Sequence, residues 1–442
     1  MSNPLRLFMK VVTILCLGAC LSICFAYEEY PSYSDDNSYN ASNTSFDNYT
    51  ASPSSHENLP ANTDNQTAAP IKLADKNYVL LQAELARYQI AAQKVWIPIP
   101  DSPRFRYHKR NPYLIALREH LQLSGDLSLD YAPEKNVYDS TMVTAIKRFQ
   151  ARHNLEADGI IGKATLKELN ITPQERIHSL EVNLQRWNDL SKKLGERFIV
   201  VNIPDYALYL FDHGNQLLMM KTIVGKPDWQ TPELHSKITR IVFNPYWHVP
   251  IKIAANDLVP KVRTDPYYLD DMHIKVYIKN RNGKESVLSH NDIDWESVSS
   301  DDDKYEFRQE PGDDNALGIV KFEFPNKYDV YLHDTPAKSL FEQPTRALSH
   351  GCIRLENPLD LVSYLMRDNT KWDPQRIQDV IESRKTTYVE LEKPIPIYIT
   401  YITVWTDENG VVNYRDDIYN RDNPLPDGTN DPEKLNNYHP TI

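Results

Sequence analysis

The chain has 442 residues, 41% of them hydrophobic and 25% charged, which gives room for several domains of about 150 residues each and for a sizeable buried core. A formal net charge of −12 excludes a basic nucleic-acid-binding surface as the dominant feature. With 13 glycines against 30 prolines, a Gly-rich nucleotide-binding protein is equally disfavoured.

At the N-terminus, Arg6 and Lys10 precede an apolar run from Val11 to Ala26, and polarity flips at Tyr27-Glu28-Glu29. A basic start, a short apolar stretch and a small residue before a polar segment predict a secretory signal over 1–26, cleaved after Ala26. The run is shorter than the ~20 residues of a spanning helix. Leu17-Gly18-Ala19-Cys20 supplies a minority alternative, lipid anchoring at Cys20. Residues 27–70 contain no Lys or Arg and are rich in Ser, Asn, Thr and Tyr. Such a composition cannot bury enough apolar surface to offset ordering, so a disordered linker is expected there.

Residues 71–110 read as the first part of a helical scaffold, with Leu80, Leu81, Leu85 and Ile90 on one side before Trp96-Ile97-Pro98-Ile99-Pro100 breaks the pattern. Over 111–170 three helices are predicted. Leu114, Leu117 and Leu121 space the first; Ser140 caps the second, with Met142, Val143, Ile146 and Phe149 as its stripe; Thr165, Leu166 and Leu169 mark the third. A scaffold helix follows at 171–195, with Ile177, Leu180, Leu184, Trp187, Leu190 and Leu194 at spacings of three and four. From 196 to 373 the period shifts to β-like runs separated by Pro204-Asp205 and His213-Gly214 turns, giving a mainly-β body with few helices before 358–367. Residues 253–312 interrupt it with a charged, Tyr- and Asp-rich insertion that includes Tyr267, Tyr268 and Asp301-Asp302-Asp303. Residues 374–442 read as a C-terminal extension. The fold class expected is multidomain α+β.

With the signal removed, Cys352 is the one remaining cysteine. A lone thiol cannot form an internal disulfide in an oxidising compartment, and in isolation it reads as a small buried hydrophobe. Its neighbours Ser349-His350-Gly351-Cys352-Ile353-Arg354 point elsewhere. A glycine lets the backbone turn and a ligand approach, so the Cys352 and Gly351 N–H groups are candidate oxyanion donors. A cysteine nucleophile needs a base or cationic neighbour; His350 precedes it, and His333 ends the strand Val330-Tyr331-Leu332-His333. In an extended segment His350, Cys352 and Arg354 share one face, and Arg354 could pair with a substrate carboxylate. One Cys and two His without an evident fourth ligand make a poor zinc site, so no metal and no cofactor are expected. Either histidine could equally be an ordinary hydrogen-bonded residue. His248, among aromatics in Pro245-Tyr246-Trp247-His248-Val249-Pro250, reads as a packing residue at the core edge rather than a substrate wall.

Two resemblances sharpen this reading. Ala145 to Gln150 and Asp158 to Leu169 resemble the three-helix peptidoglycan-binding module. His333-Asp334-Thr335-Pro336, Phe341, Arg346 and Ser349 to Leu355 resemble the signature of the L,D-transpeptidase (YkuD-type) catalytic family. Val224-Gly225-Lys226-Pro227, Thr231-Pro232, Asn244 to Pro250, Gln309 to Gly312, Asn315 to Gly318, Asn326, Tyr401 to Thr406 and Arg415 to Tyr419 resemble its large periplasmic, YcbB-like branch. That branch joins a helical scaffold, a peptidoglycan-binding module and a catalytic domain with an inserted lid. The resemblance implies Cys352 as nucleophile and His333 as general base, with Ser349, His350 and Gly351 shaping the site and Arg354 orienting substrate. It implies a periplasmic acyltransferase that forms 3→3 crosslinks between tetrapeptide stems, donor and acceptor, in cell wall biogenesis. Carbapenems are the implied covalent inhibitors, no nucleic acid is involved, and other wall-synthesis proteins are further partners. A crosslink hydrolase, an enzyme detaching or attaching a wall-anchored protein, a cysteine protease and a non-catalytic wall-binding scaffold are the competing readings. This chain has room only for a shortened scaffold.

Overall fold

The structure, a computed structural model, describes residues 73–101, 104–133, 136–279, 284–301 and 304–422, all within the unit Ala68–Ile442. The expected signal with Cys20, the linker, the last part of the C-terminal extension, and Asp302 and Asp303 lie outside the described residues.

Helix α1 (Leu73–Ala91) packs along α5 (Pro173–Ser191). Leu81, Tyr88 and Ala91 are buried, whereas Ile90, expected on the same side, is exposed. Nine residues beyond Leu81, at about 100° per residue, Ile90 falls on the opposite face of the helix. Between these two helices, α2 (Leu114–Leu123), α3 (Ser140–Arg152) and α4 (Lys163–Leu169) enclose a core built on Leu117, Leu121, Ala145, Ile146 and Phe149. The cap of α3 is Asp139, not Ser140: its carboxylate accepts the Met142 N–H at 3.0 Å and Ser140 becomes the first helical residue. An anionic side chain there also meets the positive end of the helix dipole. Helix α5 starts with a capping box between Thr172 and Glu175 and with proline in its first turn, two sequence features that fix its start.

The β body is a nine-stranded sheet in the order β11-β3-β12-β10-β9-β4-β13-β1-β2, in which β3 also pairs with β2. Its strands are β1 (Arg197–Asn202), β2 (Ala207–Asp212), β3 (Asn215–Gly225), β4 (Leu234–Phe243), β9 (Val320–Glu323), β10 (Leu332–His333), β11 (Ala347–Ser349), β12 (Ile353–Leu355) and β13 (Thr387–Thr400). The first part of β3 pairs with β2, and Thr222 and Ile223 near its end pair with β12. One long strand therefore closes the sheet on itself and removes most of its open edges. The core inside contains Val201, Leu210, Ile241, Phe243, Phe322 and Ile397. Helices α6 (Pro358–Met366) and α7 (Pro374–Glu382) add Leu361, Val362 and Val380 to it.

One sequence expectation is corrected. The stretch read as a C-terminal extension supplies β13, which lies between β4 and β1 in the middle of the sheet. It goes on to the hairpin β14 (Val404–Thr406) and β15 (Val412–Tyr414), which packs Val404 and Tyr414 against Leu81, Tyr88 and Leu180 of the helices. The insertion, expected over 253–312, forms a folded subdomain with its own sheet and core. It begins at β5 (Trp247–Val249), ends at β8 (Tyr305–Gln309), and includes β6 (Ile274–Lys279) and β7 (Glu285–Leu288), in the sheet order β5-β8-β6-β7. Short helical segments Ile251–Ile253, Ala254–Leu258 and Val259–Thr264, the middle one a π-turn, complete a separate core on Leu258, Val262, Ile274 and Phe307.

Candidate active site

Parallel strands β10 and β12 pair Leu332 with Ile353 and His333 with Arg354, and the Ile353 N–H donates to Tyr331 O at 3.1 Å. Successive side chains on a strand alternate faces, so Tyr331, His333, Cys352 and Arg354 emerge on one side. All four line an open cleft of about 1250 Å³ between the β body and the insertion. Its floor comes from the ends of the strands, and its far wall comes from Lys252, Ile253, Asp257, Leu258, Lys261 and Tyr268 of the insertion. Five cationic side chains, Arg240, Lys252, Lys261, Lys321 and Arg354, face it against three acidic ones, Asp257, Glu323 and Asp329. The cleft is locally positive on an acidic chain.

His333 is 4% exposed, and its Nδ1 lies 2.6 Å from the Asp334 backbone oxygen. A carbonyl can only accept, so Nδ1 carries the proton and Nε2 keeps its lone pair. Burial, with Arg354 and Lys321 nearby, lowers the His333 pKa to about 3, and the ring is neutral at physiological pH. Its support is tight. The Asp334 carboxylate takes Lys338 Nζ at 2.7 Å and the Ile319 N–H at 3.0 Å. A Cβ on Gly318, whose φ is +60°, would stand 2.2 Å from that carboxylate, so only glycine leaves room for it. Burial also raises the Cys352 thiol above its ordinary range, opposed by hydrogen bonding from Tyr331 and by Lys321 and Arg354. The resting pair is therefore a thiol and a neutral imidazole.

His350 does something different. Its Nε2 is 3.1 Å from Asp257 Oδ2 in the π-turn of the insertion, and its ring stands edge-on to Trp229 at 4.9 Å. Burial lowers its pKa, and the nearby Asp257 carboxylate opposes this. Ser349 is buried; its hydroxyl donates to Cys352 O at 2.5 Å and accepts the Gly351 N–H at 3.1 Å. That last bond corrects the expectation that Gly351 N–H serves as an oxyanion donor: it is already used inside the loop. The Cys352 N–H has no partner among the described residues. Arg354 carries a buried Nε without a partner, and burial lowers its pKa.

The site thus brings Cys352, His333, His350 and Arg354 together on one cleft, with Ser349 beneath it. His248 departs from its expected packing role: it is exposed, lines the same cleft and pairs through Nδ1 with Glu306 Oε1 at 2.9 Å. Faces alternate along β5, so with Val249 in the insertion core His248 points the other way. Tyr331, Lys321 and Asp257 escape sequence reasoning. Tyr331 carries a signal in hindsight, since it lies two residues before His333 on the same strand face; Asp257 carries none. Among the described residues no group of His, Cys, Asp and Glu is arranged to hold a metal ion.

Residues 196–387 match the L,D-transpeptidase catalytic domain (YkuD) and residues 110–169 match the family described as "Putative peptidoglycan binding domain". The β body is an L,D-transpeptidase catalytic domain. A curated Haemophilus influenzae protein named "Putative L,D-transpeptidase" is 35% identical over 262 residues, which are 59% of this chain and 50% of that protein. The chain therefore spans half the length of that relative. Among solved structures, the L,D-transpeptidase of Stackebrandtia nassauensis is 13% identical, with 70% of this chain and 97% of that one covered and a TM-score of 0.24. The E. faecium L,D-transpeptidase catalytic domain acylated by ertapenem is 12% identical, with 47% and 98% covered and a TM-score of 0.21. One chain thus carries both matched domains.

Proposed function

We propose that the protein is an exported, periplasmic enzyme of cell wall biogenesis that forms 3→3 crosslinks between peptidoglycan stem peptides through a Cys352 acyl-enzyme. The observation that carries this reading is the pairing of a neutral, buried His333, with Nε2 free to accept a proton, and Cys352 on one face of adjacent strands in a positive cleft. The thiol passes its proton to His333 as sulfur attacks the carbonyl of the third residue, a diaminopimelate, in a tetrapeptide stem. The S–C bond forms, the C–N bond breaks, and terminal D-alanine leaves with the proton returned by His333. The side-chain amine of a second stem then attacks the thioester, loses a proton to His333 and releases the thiol. The stem carboxylates match the excess of cationic side chains, with Lys321 and Arg354 both acting on the thiol. The E. faecium relative is acylated by ertapenem, and the same attack on a β-lactam carbonyl makes carbapenems covalent inhibitors of this protein. The N-terminal basic and apolar segment supports export. Other wall-synthesis proteins are further partners under this proposal.

Mass spectrometry of muropeptides after incubation with a purified disaccharide-tetrapeptide tests it. A 3→3-linked dimer with release of D-alanine is expected. Tripeptide monomer alone would make the protein a hydrolase, and unchanged substrate would contradict the proposal.

A further inference from the structure

Two short segments meet behind the cleft. Thr231, in the link between β3 and β4, is fully buried. Its hydroxyl accepts the Gly225 N–H at 2.9 Å and donates to the Gly351 carbonyl at 2.8 Å. Tyr419, from the segment after β15, holds this arrangement from behind: its hydroxyl accepts the Thr231 N–H at 3.2 Å and donates to Gly225 O. A Cβ on Gly225 would lie 2.0 Å from Trp229 O, so the close approach of the two segments requires glycine there. At Gly351 the φ of +109° is likewise a glycine conformation.

Gly351 and Cys352 carry four backbone polar groups. Three are bonded inside the protein: Gly351 N–H and Cys352 C=O to Ser349 Oγ, and Gly351 C=O to Thr231 Oγ1. The fourth, the Cys352 N–H, is without a partner among the described residues. In a trans peptide the carbonyl and the following N–H point in opposite directions. A Gly351 carbonyl anchored inward on a fully buried hydroxyl therefore turns the Cys352 N–H outward, away from the protein interior.

We propose that Thr231 is a positioning residue for acyl transfer, its buried hydroxyl fixing the Gly351–Cys352 peptide plane so that the Cys352 N–H is presented to the oxyanion formed when sulfur attacks a carbonyl. Donors held in place before the reaction stabilise developing charge without reorganisation, and loss of one typically costs 10²–10³-fold. Thr231 acts through the peptide and touches no substrate. The inference rests on Cys352 being the nucleophile.

The test compares two reactions of the same thiol in the full chain. A carbapenem is attacked by sulfur, its ring C–N bond breaks, and the negative charge on its carbonyl oxygen needs the N–H. Iodoacetamide is attacked with loss of iodide and forms no oxyanion. Thr231→Val, which keeps shape and removes the hydroxyl, is expected to slow carbapenem acylation at least tenfold while alkylation stays within twofold of wild type. Thr231→Ser restores acylation. Tyr419→Phe, which removes the support behind Thr231, gives a smaller loss with the same selectivity and carries the test if Thr231→Val does not fold. Equal acylation in all folded variants, or parallel loss of acylation and alkylation, overturns the proposal. Failure of the underlying reading is separate: wild-type protein would then give no carbapenem adduct on Cys352 at all.

Discussion

His350 and Asp257 meet at 3.1 Å, joining the loop that carries Cys352 to the π-turn of the insertion. This contact ties one wall of the cleft to the other. His350 is held toward the insertion by it, whereas His333 is buried on the β body with Nδ1 fixed on Asp334 O and Nε2 keeping its lone pair. Asp257→Asn keeps an acceptor oxygen but removes the charge that opposes the lowering of the His350 pKa. The substitution should raise KM for the stem substrate several-fold and change carbapenem acylation little, because the sulfur and its base are untouched. Steady-state crosslinking beside single-turnover acylation checks this.

His333 is expected to carry the proton transfer. His333→Ala should slow single-turnover acylation by at least the ~10²-fold associated with loss of a general base, while His350→Ala costs less. Equal or reversed losses, measured in folded variants, would move the role to His350.

The pH profile follows from the same pair. His333, faced by Arg354, Lys321, Tyr331 and Cys352, has its pKa lowered to about 3, and the Cys352 thiol is raised by burial. Acylation should therefore show no acid limb near the ordinary histidine value and should climb on the alkaline side as the thiol ionises. A rate already flat from pH 5 upward would indicate a resting thiolate–imidazolium pair instead. Stability has its own sign. Between about pH 6.5, the ordinary histidine value, and about 3 the unfolded chain binds a proton at His333 that the folded protein refuses. Folding stability falls as pH drops through that window, and denaturant titrations at several pH values should show it.

The insertion contributes Asp257, Lys252 and Tyr268 to the cleft and has its own core. We expect it to act as a lid that excludes water while the acyl-enzyme awaits an amine. Replacing 250–309 by a short linker should raise the ratio of hydrolysed to crosslinked product while Cys352 still acylates. An unchanged ratio in a folded variant would leave the insertion without that role.

Much of this was legible in the sequence because it is local. The helical stripe of Met142, Ile146 and Phe149 and the β runs around Phe198 and Leu208 report their own burial through spacing alone. The motif around Cys352 offered the thiol, His350 and Arg354 as candidates, and the end of the strand Val330–His333 offered His333. What was not legible depends on pairing between distant segments. That Thr387–Thr400 would insert between β4 and β1 is set by register, not by local pattern, since any apolar alternation can sit at an edge or a centre. Asp257 and Thr231 gain their roles only when the insertion and the β3–β4 link are folded against the Cys352 loop. The use of Gly351 N–H by Ser349 depends on a hydroxyl rotor that no spacing rule specifies.

The central claim is that Cys352 is the acyl carrier. Intact-protein and peptide mass spectrometry after incubation with a carbapenem tests it most directly. One adduct is expected, mapped to Cys352, absent in Cys352→Ala, with crosslinking lost in the same variant while its fold is kept. An adduct persisting on the Ala variant, or crosslinking by it, would contradict the account.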